Sequence, residues 1–193
     1  MVPFTFTAPI ETERLRLRPM RTRDAPAVHA YQQRDDVCRY LLYEPRTLEQ
    51  MQGKLADYAT RTHLAQEGDF LQPAVEDRAS GVLVGEMYFA LRSLKHQTAE
   101  IGWVFHPDHH GRGYATEAAR SLLALGFEQL RLHRIVAELT PQNTASVRIC
   151  RRLGMREEAH FVQDMLIKGR WEDTGVHAIL REEWIATHSD ELM

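Results

Sequence analysis

The sequence predicts a mixed α/β protein of the α+β type, with a largely antiparallel first half. Three observations predict this class. Strand-like runs follow one another closely between residues 70 and 105, helical periodicity takes over in residues 115–130, and short strands and a helix alternate after that. The 193 residues contain no repeat, low-complexity segment or linker, so we expect one domain over residues 1–193.

The first strand is predicted over residues 12–20, where apolar and polar side chains alternate. Leu15 and Leu17 fall on the face that such a half-buried strand would turn to the core. The opposite face carries arginines that we expect to be solvated, namely Arg14, Arg16 and Arg18.

Two helices and three strands are predicted next. The helical patterns cover residues 24–34 and 47–63, and the second begins with Thr47 and Gln50 in the spacing of a capping box. The strands, of which the first two are joined by a turn at residues 77–80, are Phe70–Glu76, Gly81–Leu91 and Ala99–Phe105.

The C-terminal part alternates helix and strand. Residues 115–130 place their apolar side chains along one stripe, as a core-facing helix does. A helix over Thr144–Leu153 is expected to stop at Gly154, and the polar tail after Trp184 is expected to fray. The strands predicted here, of which the last two are joined by a turn through Lys168–Trp171, are Arg134–Leu139, Ala159–Ile167 and Thr174–Leu180.

A glycine-rich turn separates a predicted strand from a predicted helix at His110-Gly111-Arg112-Gly113-Tyr114-Ala115. Glycines let the backbone approach a ligand, and the first N–H groups of a helix attract anions. We interpret the turn as a pyrophosphate cradle, with an ordinary tight turn as the alternative. It is not a nucleoside triphosphate P-loop, since no Gly-Lys-Ser/Thr follows, and Thr116 stands where a dinucleotide fingerprint has its third glycine.

The bulk composition excludes several other classes of protein. With 24 basic and 27 acidic residues, the net charge of −3 argues against a nucleic-acid partner. No apolar run approaches membrane-spanning length, so we expect no membrane partner. Two distant cysteines, Cys38 and Cys150, fit a reduced cytoplasmic setting, and the N-terminus does not read as a signal peptide.

Several segments together resemble the GCN5-related N-acetyltransferase (GNAT) superfamily, and within it the RimJ/RimL-type branch that acetylates ribosomal-protein N-termini. The resemblance implies a GNAT fold: a central, twisted, mostly antiparallel sheet of about seven strands, flanked by helices and splayed between its central strands. The segments that carry it are Thr12–Arg18, Ala99–Val104, His110–Ala115, Asn143–Ser146, Arg152–Met155, Gly169–Asp173 and Glu183-Trp184.

This resemblance implies an N-acetyltransferase domain that moves an acetyl group from acetyl-CoA directly to a primary amine. The acceptor would be a protein N-terminal α-amino group or a small-molecule amine, and the enzyme a monomer or homodimer. Two alternatives stay open, namely a sensor that binds acetyl-CoA without catalysis and an acyltransferase that uses another acyl-CoA.

Glu100 matches the central-strand glutamate that serves as base in the histone-acetylating branch, with Glu86, Glu138 or water as alternatives. Cys150 stands where many members carry a tyrosine that protonates the leaving thiolate, so Ser146 becomes the candidate partner of that thiolate.

The resemblance also implies a set of residues that bind acetyl-CoA. The expected coenzyme-binding residues are Val104, His106, His110, Gly111, Arg112, Gly113, Tyr114, Ala115, Thr116, Asn143 and Ser146.

Three histidines in this region, His106, His109 and His110, are of a type that can bind zinc. Their loop lacks a catalytic zinc motif, so we expect no metal.

Overall fold

A nine-stranded sheet organises residues 3–188, the part of the chain described in this computed structural model. The strands are β1 (Phe4–Thr5), β2 (Ile10–Glu11), β3 (Leu15–Arg18), β4 (His63–Leu64), β5 (Phe70–Leu71), β6 (Ala74–Asp77), β7 (Leu83–Ser93), β8 (Thr98–Phe105), β9 (Arg134–Leu139), β10 (Arg156–Ile167) and β11 (Arg170–Leu180). The helices are α1 (Ala25–Gln32), α2 (Asp35–Cys38), α3 (Leu48–Tyr58), α4 (Tyr114–Ala124), α5 (Thr144–Arg152) and α6 (Arg181–His188).

The strand order of the sheet is β10-β11-β9-β8-β7-β6-β3-β2, with β5 added along β7, while β1 and β4 form a separate ribbon. Strands β8 and β9 run parallel, and the other neighbouring pairs of the described sheet run antiparallel. The mostly antiparallel GNAT-type sheet is thus confirmed. It has nine strands rather than about seven, because two-residue strands such as β2 and β5 extend it.

The parallel pair opens along its length. The register of β8 and β9 ends at Glu100 opposite Val136, although β8 continues to Phe105 and β9 to Leu139. Beyond Glu100 the backbone of β8 is paired only with β7 on its other side. The central strands are therefore splayed, as the resemblance implies.

Two apolar cores flank the sheet. The larger core packs α4 onto one face, and the predicted stripe is buried there, including Ala118, Leu122 and Phe127. A smaller core forms under α1 and α3 on the other face, through Val28, Leu55 and their neighbours. Further along this face, Glu100 on β8 is only half-buried.

Arg18 corrects the prediction of a fully solvated arginine face. Its side chain is 4% exposed and forms ion pairs with Asp24 at 2.7 Å and Glu76 at 2.5 Å. Two carboxylates satisfy the guanidinium, and a buried charge needs such partners. Arg14 and Arg16 are exposed, as predicted.

Several predicted boundaries also differ. Helix α3 ends at Tyr58 rather than residue 63, and its Thr47–Gln50 capping box is confirmed. The strand predicted over residues 70–76 is split into β5 and β6. Helix α4 ends in a π-helical turn, Leu125–Gln129. Of the tail expected to fray, residues 185–188 continue α6, and residues 189–193 lie outside the described residues.

Candidate active site

The glycine turn connects the end of β8 to the start of α4. A short 3₁₀ turn, Pro107–His109, follows β8, and Gly111 and Gly113 then adopt left-handed conformations with φ of +75° and +81°. A Cβ on Gly111 would meet nothing within 4 Å, so the loop surface is open there. Because Gly113 caps α4 without a side chain, the first N–H groups of the helix remain for a ligand. This geometry suits a phosphate group.

The histidines beside this loop shape its backbone. His106 Nδ1 accepts a hydrogen bond from the Asp108 N–H at 3.2 Å, and His110 Nε2 lies 3.1 Å from the Phe105 carbonyl oxygen. Burial is the main cause that lowers the pKa of His109. Within residues 3–188, no cluster of three or more histidine, cysteine or acidic residues has an arrangement that could hold a metal ion.

Tyr114 has a buried side chain. Its hydroxyl donates a hydrogen bond to Asp77 Oδ2 at 2.7 Å, which lowers the pKa of that carboxyl to about 2. Tyr114 therefore anchors the start of α4 to the end of β6, and its backbone N–H is the group left for the loop, beside those of Ala115 and Thr116.

The splay brings Ser146 beside β8. Ser146 lies in the first turn of α5, and its hydroxyl oxygen accepts a hydrogen bond from Trp103 Nε1 at 3.2 Å. The side-chain oxygen of Asn143 caps the same helix by accepting from the Ser146 N–H at 3.2 Å. Since Trp103 is the donor, the hydroxyl proton of Ser146 is left for another acceptor.

Cys150 lies one helical turn after Ser146 and is fully buried in the larger core. Burial raises the pKa of its thiol to about 12. The structure thus places this cysteine as a packing residue of the larger core, whereas Ser146 of the same helix lies against β8.

Glu100 lies on the open part of the sheet face. Its side chain is 17% exposed and pairs with Arg92 at 2.6 Å, while Glu138 lies 3.5 Å from the same guanidinium. Burial raises the pKa of Glu100, and the charge of Arg92 opposes this. Two of the three carboxylates considered from the sequence therefore share one arginine.

Glu86, the third carboxylate, is 2% exposed under α1. Gln32 Nε2 donates a hydrogen bond to its Oε1 at 2.5 Å, and the Tyr43 hydroxyl donates to Gln32 Oε1 at 3.1 Å. Glu86 Oε2 and the Tyr31 hydroxyl are buried without a well-aligned hydrogen bond, although the phenol still lowers the pKa of the carboxyl. Burial outweighs these partners and raises the pKa of Glu86 to about 7.

Glu86 and Glu100 differ in their distance from Val104, the expected backbone contact of the acetyl group. Glu86 is the cross-strand partner of Val104, which places their Cβ atoms about 5 Å apart. Glu100 lies on the same strand as Val104 but four residues away, about 13 Å along it. The sequence could not reveal this difference, because it depends on the pairing register.

A cavity of about 600 Å³ lies between α2, the residue before Asn143 and the turn of the β10–β11 hairpin. Its lining carries both charges, with Asp36 and Glu172 near Arg39 and Lys168. Lys168 Nζ also donates a hydrogen bond to the Cys38 carbonyl oxygen at 2.5 Å, which ties the hairpin to α2. No sequence motif predicted this cavity, because its lining comes from three separate segments.

Comparison with known proteins places this geometry in a family. The profile of the family described as "Acetyltransferase (GNAT) domain" matches residues 14–156. The N-acetyltransferase YnaD of Bacillus subtilis is 33% identical over 91% of this chain and 98% of its own length.

A second curated relative, the spermidine N(1)-acetyltransferase of Escherichia coli K12, is 26% identical over 90% of each chain. A crystal structure of a GNAT-family acetyltransferase from Bacillus anthracis has a TM-score of 0.82 and 34% identity, and covers 91% of this chain and 99% of that one. The chain therefore belongs to the GNAT family of acetyltransferases, and it is an acetyl-CoA-dependent N-acetyltransferase.

Proposed function

We propose that the acceptor of this acetyltransferase is a primary amine, either a protein N-terminal α-amino group or a small amine. The observation that carries the proposal is the splay, which sets the free backbone of β8 between the glycine loop and Ser146. The RimJ/RimL-like motifs favour a protein N-terminus. The spermidine acetyltransferase relative favours a small polyamine as the second candidate.

Each group at the splay has a role in this proposal. The N–H groups after Gly113 hold the pyrophosphate, with Arg112, His106 and His110 at the same loop. Backbone N–H groups of β8 near Val104 stabilise the acetyl oxygen as it gains charge, and Asn143 binds the amides of the coenzyme.

Glu100 takes a proton from the amine through a chain of water molecules, because it lies about 13 Å along β8 from Val104. The amine nitrogen forms the new bond to the acetyl carbon. The bond to sulfur breaks, and Ser146 donates a hydrogen bond to the leaving thiolate. Glu86 is a second candidate for the proton acceptor because it lies directly across from Val104.

An acetylation assay tests the acceptor class and the role of Ser146. The purified enzyme is given acetyl-CoA with spermidine or with short peptides that have free N-termini, and products are identified by mass spectrometry. We expect transfer to one class, and a loss of about 10²-fold in kcat for Ser146→Ala. Thr144→Ala, on the same helix at an exposed position, is the matched control and should keep wild-type activity.

Three results would contradict this proposal or a part of it. Tight binding of acetyl-CoA without transfer to either amine class would favour a sensor. Faster transfer from another acyl-CoA than from acetyl-CoA would show a different donor. Equal activity of Ser146→Ala and Thr144→Ala would remove Ser146 from the reaction.

We also propose one N-acetyltransferase domain over residues 1–193, acting in the cytoplasm as a monomer or homodimer. Cys38 and Cys150 are free and buried, which suits a reducing compartment. No helix within residues 3–188 combines the length and apolar character needed to cross a bilayer. The ion pairs of Arg18 with Asp24 and Glu76 weaken the case for a nucleic-acid surface in this region.

A further inference from the structure

The side chain of Arg14, the residue before β3, contacts the glycine loop. Its Nη1 donates a hydrogen bond to the Arg112 carbonyl oxygen at 2.9 Å. Its guanidinium lies 5.1 Å from the centre of the Tyr114 ring, and a Cβ on Gly113 would be 3.4 Å from Arg14 Nη2. One side chain thus contacts Arg112 and Tyr114 and fills the space beside Gly113 between them.

Glu117, in the first turn of α4, holds Arg14 in this place. Its carboxylate accepts from Arg14 Nε at 2.7 Å and from the Arg14 backbone N–H at 2.9 Å, and Arg14 Nη2 lies 2.6 Å away. The Thr12 hydroxyl adds a fourth donor at 2.6 Å. These bonds lower the pKa of Glu117 against the effect of burial, so the carboxylate stays charged.

We propose that Arg14 and Glu117 are positioning residues that set the glycine loop for the phosphates of acetyl-CoA. The proposal rests on the function proposed above, in which this loop holds the pyrophosphate. Neither side chain needs to touch the coenzyme. Arg14 acts through the Arg112 carbonyl and Glu117 acts through Arg14, so both govern the shape and charge of the loop.

Two physical effects follow from this arrangement. The hydrogen bond from Arg14 keeps the Arg112 carbonyl oxygen directed toward Arg14. The partial negative charge of that oxygen therefore does not face the phosphate that the N–H groups bind. Arg14 also compensates the charge of Glu117, which otherwise would repel phosphate at the start of α4. Loss of Arg14 alone therefore weakens phosphate binding twice, by loosening the loop and by exposing a negative charge.

Two acetyl donors distinguish an effect on phosphate binding from a general loss of folded enzyme. Acetyl-CoA carries the phosphates, whereas S-acetylpantetheine has the same thioester without them. For Arg14→Ala we expect the KM for acetyl-CoA to rise about tenfold, the effect of one lost charge-assisted interaction, with the KM for S-acetylpantetheine unchanged. Arg14→Lys should recover little, because one ammonium cannot replace the planar fork.

Arg16→Ala is the matched control. Arg16 lies two residues after Arg14, within β3, and its side chain is equally exposed at 45%. Its guanidinium pairs with Glu11 of β2, at 2.9 Å from Nη2 and 3.0 Å from Nε, instead of with the loop. It should leave both KM values unchanged. The double variant Arg14→Ala/Glu117→Gln should bind acetyl-CoA more tightly than Arg14→Ala, because the uncompensated carboxylate is gone.

The outcomes are distinguishable. Equal KM values for Arg14→Ala and Arg16→Ala, or an equal rise for both donors, would overturn the positioning role. A wild-type enzyme that uses both donors with the same KM would instead show that the loop does not hold the phosphates, and the proposed role of the loop would fail. If Arg14→Ala folds poorly, as judged by its Tm, the comparison of Arg14→Lys with the wild type decides the same question.

Discussion

Glu86 and Glu100 lie on the same face of adjacent strands but in opposite surroundings. Glu86 is covered by α1 and bonded to the neutral side chain of Gln32, whereas Glu100 faces a partly exposed Arg92. Burial is the largest cause that raises the pKa of both carboxyls, and it raises that of Glu86 to about 7, while the charge of Arg92 opposes it at Glu100. Strand alternation places a carboxyl on a face, and the groups packed around it on that face set how far burial raises its pKa.

The largest expected effect comes from removing apolar packing in the smaller core, which lies on the same sheet face as Glu86. Leu55→Ala deletes a fully buried side chain of α3 from the smaller core, and we expect a loss of about 2–5 kcal/mol in the free energy of unfolding. Urea denaturation measures it. Leu48→Ala, at an exposed position at the start of the same helix, should cost far less. Similar losses for the two variants would mean that α3 does not bury this face.

A second prediction concerns the pH dependence of stability. The pKa of Glu86 is raised from 4.5 to about 7, so between these values the folded protein keeps a proton that the unfolded chain has released. Stability contributed by this group therefore falls as pH rises through that window, by about 3 kcal/mol in total. Glu86→Gln cannot ionise, so its stability relative to the wild type should increase by about that amount between pH 4.5 and pH 8.

Chemical denaturation of wild type and Glu86→Gln at several pH values checks this result. Other titrating groups are common to both proteins, so the difference isolates Glu86. Parallel stability profiles would show that Glu86 is already ionised in the folded protein at pH 5, and the contrast with Glu100 would disappear.

The smallest expected effect on stability is at Glu100. Its partner Arg92 is 48% exposed, and such ion pairs contribute about 0–1 kcal/mol. We expect Glu100→Gln to change the free energy of unfolding by less than about 1 kcal/mol, while it lowers kcat if Glu100 takes the amine proton. Glu138→Gln alters the same arginine and should change stability equally little, and a kcat loss in this variant alone would identify Glu138 as the proton acceptor instead.

Measurements of kcat for the two glutamine variants show whether Glu86 or Glu100 accepts the proton of the amine. A kcat loss in Glu100→Gln alone would identify the open carboxyl as the proton acceptor. A loss in Glu86→Gln alone, with the acidic limb of the wild-type pH profile near pH 7, would identify the buried one.

The sequence predicted features that depend on neighbouring residues. The Thr47–Gln50 cap, the bounds of Arg134–Leu139 and the glycine turn before α4 depend on spacing within a few residues, and all are confirmed. The helix predicted over Thr144–Leu153 is confirmed to within one residue for the same reason.

Features that depend on distant partners were not predictable in this way. The burial of Arg18 depends on Glu76, which lies 58 residues later, and the contact of Arg14 with Glu117 spans 103 residues. Alternation marked Arg18 as solvated because a polar side chain on a strand is usually exposed, and only tertiary pairing overrides that. The expected coenzyme-binding residues were chosen from motifs in the glycine turn and at the start of α5, and their roles stay predictions.

The splay of β8 from β9 gives the protein a strand edge in its interior. Edge strands on a surface are open to pairing with other chains and are usually protected against it. Here the unpaired edge beyond Glu100 is half-buried, and Ser146 of α5 lies against it through its hydrogen bond with Trp103, so the edge can receive a small extended ligand. A ligand bound by backbone groups depends little on the identity of the side chains around it. Substitutions can therefore change the surface that binds the amine while the backbone of β8 that faces the acetyl donor keeps its geometry.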